Sequence, residues 1–131
     1  MKFLTTSTFI LFFGIIATFS QHTISGKIVD EKYQEMMKPI IANVFYNRLR
    51  KRMRLQSDPT VLYAVHKPYG EHLTRYDLHS TNAFNTYIYK GLPPHAIALP
   101  SNQALLAVLH PAHQDYYYFE AKGDGKHTFS K

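Results

Sequence analysis

The sequence predicts an α+β fold: a single small domain with helices followed by a small antiparallel sheet, preceded by an N-terminal hydrophobic helix. Three features of the 131 residues support this prediction. The first segment is almost uncharged, apolar residues recur at helical spacing in the middle, and an aromatic run precedes a Gly-Asp-Gly turn near the end. Because the sequence contains no internal repeat or interdomain linker, we expect one folded unit.

The hydrophobic segment occupies residues 1–21. Lys2 is its only charged residue, and residues 3–19 are largely apolar apart from threonine and serine. Such a segment is typical of a signal peptide or a short membrane anchor, although most membrane spans have roughly 20 apolar residues. A weak cleavage site at residues 18–20 leaves both interpretations open, and a buried helix of the domain is the third. Either export interpretation places residues 22–131 outside the cytoplasm.

Helical patterns follow this segment. Residues 24–32 suit a short helix, and Pro39 is expected to start a second helix because proline is tolerated in a first turn. The apolar stripe of that second helix comprises Ile40, Ile41, Val44, Phe45 and Leu49. Polar residues are expected to lie off the stripe, namely Asn43, Asn47, Arg48 and Arg50.

The middle of the chain alternates helix starts with loops. Asp58 before Pro59 predicts an N-cap and a helix to about residue 66. Residues 73–78 suggest a polar helical turn, and residues 82–89 suit a short strand. The Gly-Leu-Pro-Pro run at 91–94 predicts a rigid loop, because a residue before proline favours extended geometry.

The C-terminal third should contain the last helix and the sheet. Ser101 is a suitable cap for a helix over residues 102–109. The aromatic run at 116–119 predicts a strand, and residues 126–130 can pair with it through a turn at residues 123–125.

Composition excludes several classes of function. There is no cysteine, so thiol chemistry and zinc–thiolate sites are impossible, and no His-Glu-x-x-His motif suggests a metal; we expect no cofactor. The formal charge is +6, and a cationic run comprises Arg48, Arg50, Lys51, Arg52 and Arg54. No nucleic-acid reader motif accompanies that run. A solvated helix end is its simplest explanation, with anionic envelope polymers or lipid headgroups as the alternative.

Several short motifs occur in one order along the chain. They are Val-Phe-Tyr-Asn-Arg-Leu at 44–49, Met-Arg-Leu-Gln-Ser-Asp-Pro-Thr-Val at 53–61, Asn-Thr-Tyr at 85–87, Gly-Leu-Pro-Pro at 91–94, His-Pro-Ala at 110–112, Tyr-Phe at 118–119 and His-Thr-Phe at 127–129. From about residue 31 onwards the sequence resembles the catalytic domain of the YceG-like (MltG-type) endolytic murein transglycosylases.

This resemblance implies a lytic transglycosylase that cleaves peptidoglycan between MurNAc and GlcNAc and leaves 1,6-anhydroMurNAc ends. Its single acid/base would be Glu31, with Asp30 as a shorter alternative, and partial burial near the apolar residues at 28 and 29 would keep it protonated. Without the resemblance, Glu31 would be interpreted as a solvated helix carboxylate. The resemblance also implies substrate-binding roles for Asn47, Gln56, Asp58, Asn85 and Tyr87.

The resemblance also has implications for the location and the partners of the protein, and the sequence departs from the family pattern in several places. It predicts a protein of the inner (cytoplasmic) membrane with its catalytic part extracytoplasmic, acting on peptidoglycan glycan strands, and cell-wall synthases are candidate partners. Lys32 and His95 depart from the family pattern, and residues 22–131 are expected to be a C-terminally truncated catalytic domain. One rival interpretation is an inactive, glycan-binding remnant. A basic nucleic-acid binder is the second rival, and we expect no nucleic-acid partner.

Overall fold

The longest element is the 20-residue helix α1 (Glu31–Arg50). The computed structural model describes residues 31–122 and 126–131. Within them follow three shorter helices and one hairpin: α2 (Asp58–Ala64), α3 (Arg75–Leu78), α4 (Asn102–Leu109), β1 (Tyr118–Ala121) and β2 (His127–Ser130). The predicted order of helices followed by a small antiparallel sheet is therefore confirmed.

Helix α1 does not begin at Pro39, so that prediction is wrong. Pro39 lies inside the helix and cannot donate a hydrogen bond to the carbonyl of Glu35. Tertiary contacts offset this loss: Lys38 donates to the side chain of Gln103, and the N–H of Ala112 donates to the carbonyl of Pro39 at 3.1 Å. Of the predicted helix over residues 24–32, residues 24–30 lie outside the described part.

The core forms where α1 packs on α4. Its buried members are Ile41, Ala42, Phe45, Leu55, Ala104, Ala107 and Val108. The rings of Phe45 and Phe119 form a T-shaped pair with centroids 5.9 Å apart, which joins the hairpin to the same core. Burying each large side chain of this kind contributes about 1.5–3 kcal/mol.

Strands β1 and β2 pair antiparallel, with Phe119 opposite Phe129. The first strand begins two residues later than the aromatic run suggested, because Tyr118 rather than Tyr116 is the first paired residue. Tyr117 still donates its N–H to the carbonyl of Ser130 at 2.9 Å. The turn predicted at residues 123–125 lies outside the described part.

Residues 82–89 form turns, so the predicted strand is wrong. The side-chain oxygen of Asn82 accepts from the N–H of Phe84 at 3.0 Å, and that of Asn85 accepts from the N–H of Tyr87 at 2.9 Å. Asparagine side chains thus occupy the backbone donors that a strand would use, which stabilises turns over extended structure.

Two helices end in the same hydrogen-bonding arrangement. At the end of α1, the N–H of Met53 donates to the carbonyl of Arg48, and the N–H of Arg52 donates to that of Leu49. At the end of α2, residues 67 and 66 donate in the same way to the carbonyls of residues 62 and 63. Arg52 and His66 have φ of 54° and 58°, the left-handed conformation that this termination requires.

No helix in the described part of the chain is long and apolar enough to cross a membrane. The N-terminal hydrophobic helix predicted at residues 1–21 lies outside that part, as do the signal-peptide and anchor interpretations.

Candidate active site

The polar corner, residues 54–58, connects α1 to α2 and presents two of the predicted site residues. Leu55 and Ser57 are buried, at 2% and 0% exposure. Gln56, which lies between them, and Asp58, which follows Ser57, are exposed. The backbone of Gln56 is left-handed, with φ 49°, so the chain bends sharply at this residue. The side chains of Gln56 and Asp58 are both accessible to solvent.

Arg48 holds the corner from beneath. Its Nη1 donates to the carbonyls of Arg54 and Leu55, at 3.1 and 2.9 Å, and to the side-chain oxygen of Gln56 at 3.3 Å. Its Nε donates to the carbonyl of Tyr117 at 2.6 Å, and its guanidinium carbon lies 5.0 Å from the centre of the Tyr118 ring. Burial lowers the pKa of Arg48, although arginine stays charged at any physiological pH.

The prediction that Asn43, Asn47 and Arg48 lie off the buried side of α1 is wrong, since they are 3%, 7% and 7% exposed. A sequence signal existed for Arg48, because it is four residues after Val44 and three after Phe45, which continues the apolar stripe. Its long apolar stem can be buried while its head bonds to backbone carbonyls.

Thr86 fixes the corner from the other side. Its carbonyl accepts from the N–H of Gln56 at 3.1 Å, and its hydroxyl accepts from the N–H of Ser57 at 3.0 Å. The hydroxyl of Thr60 lies 2.8 Å from that of Thr86 and donates to the carbonyl of Ser57. Because these groups are buried, loss of any one leaves a desolvated partner unpaired.

Asp58 and Tyr87 are in direct contact. The Tyr87 hydroxyl donates to a carboxylate oxygen of Asp58 at 2.5 Å. Burial is the larger cause and this hydrogen bond the second cause of a raised pKa for the Tyr87 hydroxyl, which therefore remains protonated. Asp58 is not the cap of α2, as the sequence suggested: Ser57 occupies the N-cap position and Asp58 is the first helical residue. Its charge suits the positive end of the helix.

Asn47 and Asn85, also predicted to bind substrate, are buried braces in this structure. The Asn47 amide donates to the carbonyls of Gln114 and Tyr116, at 2.7 and 3.0 Å. The Asn85 amide donates to the carbonyls of Leu78 and Ser80, at 3.0 and 2.8 Å. With both donors of each amide used internally, these residues position backbone segments rather than present groups to solvent.

Glu31, the predicted acid, is the first residue of α1, and its side chain lies outside the described part. Roughly 25 Å of helix length separates the backbone of Glu31 from that of Arg48 beneath the corner. The catalytic role of Glu31 stays a prediction. The structure places its backbone at the end of α1 opposite to Gln56 and Asp58.

Two further features bear on the site. His95, a departure from the family pattern, packs against Phe84 and Tyr63 with ring centroids 4.5 and 5.9 Å apart. No group of three or more metal-ligating side chains occurs within residues 31–122 and 126–131.

Comparison with known proteins shows which protein family this chain is related to. A model of the YceG-like family matches residues 18–131. The chain belongs to the YceG-like family. It is 43% identical over 112 residues to a protein of Bacillus subtilis (strain 168) named endolytic murein transglycosylase, a match that covers 83% of this chain and 30% of the relative.

Other YceG-like relatives agree. A Streptococcus pneumoniae (strain D39) protein with the same name is 32% identical over 104 residues, which is 76% of this chain and 19% of that protein. A 2.6 Å crystal structure of a YceG-like protein from Listeria monocytogenes superposes with a TM-score of 0.75 and 36% identity, covering 95% of this chain and 36% of that one. The chain thus spans about a third or less of the length of these relatives.

Proposed function

We propose that this chain is an endolytic peptidoglycan lytic transglycosylase, cleaving between MurNAc and GlcNAc to leave 1,6-anhydroMurNAc ends. The observation that carries the proposal is the 43% identity, over 83% of this chain, to a protein named endolytic murein transglycosylase. Two exposed polar side chains on a rigid, buried scaffold support it, because such a corner suits the hydroxyl and amide groups of a glycan.

In the proposed reaction Glu31 is the general acid. Its carboxyl proton passes to the glycosidic oxygen as the bond to the anomeric carbon breaks, and the resulting carboxylate accepts the proton of the sugar's own C6 hydroxyl. That oxygen then bonds to the anomeric carbon and closes the anhydro ring. One carboxyl group suffices because the substrate supplies the nucleophile, whereas ordinary glycosidases need two.

Asp77 is a poor alternative acid. Hydrogen bonds from Lys67 and Thr74 hold the pKa of its carboxyl at about 2, so it is ionised at neutral pH and has no proton to give. Asp58 accepts a hydrogen bond from Tyr87 on the exposed corner, a position that suits binding of a sugar unit.

The separation of Glu31 from the corner along α1 favours a second candidate, a glycan-binding module without turnover. An endolytic enzyme acts inside a strand, so one continuous glycan can contact both ends of the helix. In the active case the corner would hold sugar units away from the bond that is cleaved.

Incubation of the purified chain with uncrosslinked glycan strands distinguishes the two candidates. The proposed enzyme releases anhydro-ended muropeptides, detected by mass spectrometry, and Glu31→Gln abolishes them while circular dichroism is unchanged. Glu35→Gln, four residues later on the same helix, is the matched control and should retain turnover. Glycan binding without anhydro products would favour the binding module.

We also propose an extracytoplasmic location at the cytoplasmic membrane, with residues 1–21 as signal peptide or anchor. The near absence of charge in that segment supports this proposal. Fractionation of cells expressing the chain with a C-terminal reporter enzyme that works only outside the cytoplasm would test it.

A further inference from the structure

The C-terminal end of α1 carries an exposed cationic surface, which we call the basic end. It consists of four members of the cationic run, all of them exposed, namely Arg50, Lys51, Arg52 and Arg54. The sequence has no acidic residue from position 36 to position 57. Within the part of the chain that the structure describes, none of the four forms a salt bridge. Their charges are therefore available to an anionic partner.

Helix termination does not account for these charges. Helices α1 and α2 end in the same hydrogen-bonding arrangement, but α2 has no basic residue in its last turn, and Lys67 beyond it is paired with Asp77. Arg52 has φ 54° at the end of α1 and His66 has φ 58° at the end of α2, so this conformation does not require an arginine. The cations of the basic end therefore exceed what helix termination needs.

Arg50 is oriented by a buried asparagine. Its Nη2 donates to Oδ1 of Asn47, whose own amide is fixed by two backbone carbonyls of the segment before β1. A guanidinium that is oriented in advance loses less conformational entropy when it binds a phosphate group. The shallow cleft that Arg50 and Lys51 line also contains Asp115, but the Asp115 carboxylate lies 3.7 Å from Nζ of Lys131. That ammonium offsets the carboxylate, so the surface stays strongly positive.

Tyrosine rings lie beside the basic end. Arg48 connects them to it, because its guanidinium donates to the carbonyls of Arg54 and Tyr117 and lies against the ring of Tyr118. Tyr118 is 43% exposed. Tyrosine is enriched where proteins meet the headgroups of a bilayer, because its ring is apolar and its hydroxyl is polar. A soluble polyanion would use the charges alone, whereas a bilayer surface uses the charges and the rings.

We propose that the basic end docks on the surface of a phospholipid bilayer that contains anionic lipid. The four cations bind lipid phosphate groups, and Tyr118 lies at the level of the headgroups. Each cation contributes roughly fivefold to binding such a surface, so the four together contribute on the order of several hundredfold. This docking goes beyond the proposed function, because it involves neither Glu31 nor the bond that is cleaved.

The proposed location brings the basic end to such a surface. If residues 1–21 anchor the chain, only residues 22–30 separate the membrane from the start of α1. A segment of that length spans at most about 30 Å. The folded part is then held close to the bilayer, and this tether raises the effective concentration of the lipid surface around the four cations.

Hydrogen exchange of the full chain in lipid nanodiscs tests the docking. One set of nanodiscs contains only phosphatidylcholine, and the other contains about 30% phosphatidylglycerol with the same acyl chains, so the comparison isolates the lipid charge. We expect the amides of residues 51–55 to exchange about threefold more slowly or less in the anionic set. The difference should disappear in about 0.5 M NaCl, because salt screens exposed charges. Equal exchange in the two sets would overturn the proposal.

Two triple variants remove the same charge from different places. The first replaces three cations of the basic end, through Lys51→Gln, Arg52→Gln and Arg54→Gln. The matched control replaces three other exposed cations, through Arg75→Gln, Lys90→Gln and Lys122→Gln. The first variant should lose the slower exchange in anionic nanodiscs, and the control should keep it. Retention in the first variant, or an equal loss in both, would show that the basic end is not the docking surface.

Arg52→Gly separates docking from stability. Glycine adopts the conformation of Arg52 without steric cost, so the variant should be at least as stable as the unmodified chain. It has one cation fewer, so the NaCl concentration that halves the slowing of exchange should fall. An unchanged or higher concentration would exclude Arg52 from the docking surface.

A soluble polymer is the competing partner. Polyphosphate is added to the chain in phosphatidylcholine nanodiscs, and the exchange of residues 51–55 is measured again. The docking proposal expects the larger slowing from phosphatidylglycerol. If polyphosphate slows these amides and phosphatidylglycerol does not, the basic end binds a polymer and the proposal is wrong.

The same preparations separate the docking from the proposed function. If exchange is slower on anionic nanodiscs but no anhydro products appear from glycan strands, the docking stands and the enzymatic proposal fails. If those products appear but exchange is equal in the two sets, the enzymatic proposal stands and the docking is refuted.

Discussion

The two ends of α1 are held in different ways. At its C-terminal end, Arg48 bonds to groups six, seven and eight residues further along the chain, in the polar corner. Near its N-terminal end, Tyr33 and Glu35 bond to residues 94 and 68 positions away. The corner thus combines these local bonds with distant ones to Tyr117 and Thr86. The bonds of Tyr33 and Glu35 near the other end of α1 instead join the helix to the hairpin and to α4.

The largest effect should come from removing the guanidinium at the corner. Arg48→Met removes the donor to the buried carbonyl of Leu55 and to the partly buried carbonyl of Arg54, so we expect the free energy of unfolding to fall by about 3 kcal/mol. Urea denaturation measures this loss. Arg54→Met, at an exposed side chain, should change it by less than about 0.5 kcal/mol. Equal losses would mean that the corner does not depend on Arg48.

Acid should weaken the segment that carries Thr86 and Tyr87 to the corner. The folded state lowers the pKa of Asp77 from 3.8 to about 2, so its ion pair with Lys67 stabilises the fold above pH 4 and this contribution disappears as the pH falls from 4 towards 2. The urea midpoint should fall less steeply across that range in Asp77→Asn than in the unmodified chain. Asp115→Asn, at an exposed carboxylate, is the control; a slope unchanged in Asp77→Asn would contradict the assignment.

The N-terminal end of α1 can be loosened separately. Tyr33→Phe removes the hydroxyl that accepts from the N–H of His127 at 2.9 Å, at a cost of about 1 kcal/mol. Hydrogen exchange should then accelerate in residues 33–38 and in β2 but not in residues 48–56. Tyr76→Phe, at a hydroxyl on an exposed ring, should alter neither region. Faster exchange at both ends would show that they unfold as one unit.

The smallest expected effect is a gain in stability. Arg52 terminates α1 with φ 54°, so Arg52→Gly should raise the free energy of unfolding by about 0.5–1 kcal/mol, because glycine adopts that conformation without steric cost. His66→Gly should act similarly at the end of α2. Arg54→Gly, outside a helix end, should not stabilise. A lower melting temperature for Arg52→Gly would disprove the explanation.

Part of the site could be predicted from the sequence. The family resemblance predicted site roles for Gln56, Asp58 and Tyr87; in the structure Gln56 and Asp58 are exposed and the half-buried Tyr87 donates to Asp58. Arg48 was missed because a charged residue was assigned to the solvent side. Asn47 and Asn85 were predicted to bind substrate, but both are buried and their amides donate to backbone carbonyls. The direction in which a polar side chain points depends on partners that are distant in sequence.

Local chemistry alone determined much of this protein. The caps and prolines before α2 and α4, the apolar stripe of α1 and the aromatic strand residues each act within a few positions, so the sequence predicts those elements directly. Only the tertiary structure decided that α1 continues through Pro39, that residues 82–89 turn, and that Arg48 supports the corner. In each case a distant or buried hydrogen-bond partner offsets a cost that local propensity would otherwise impose.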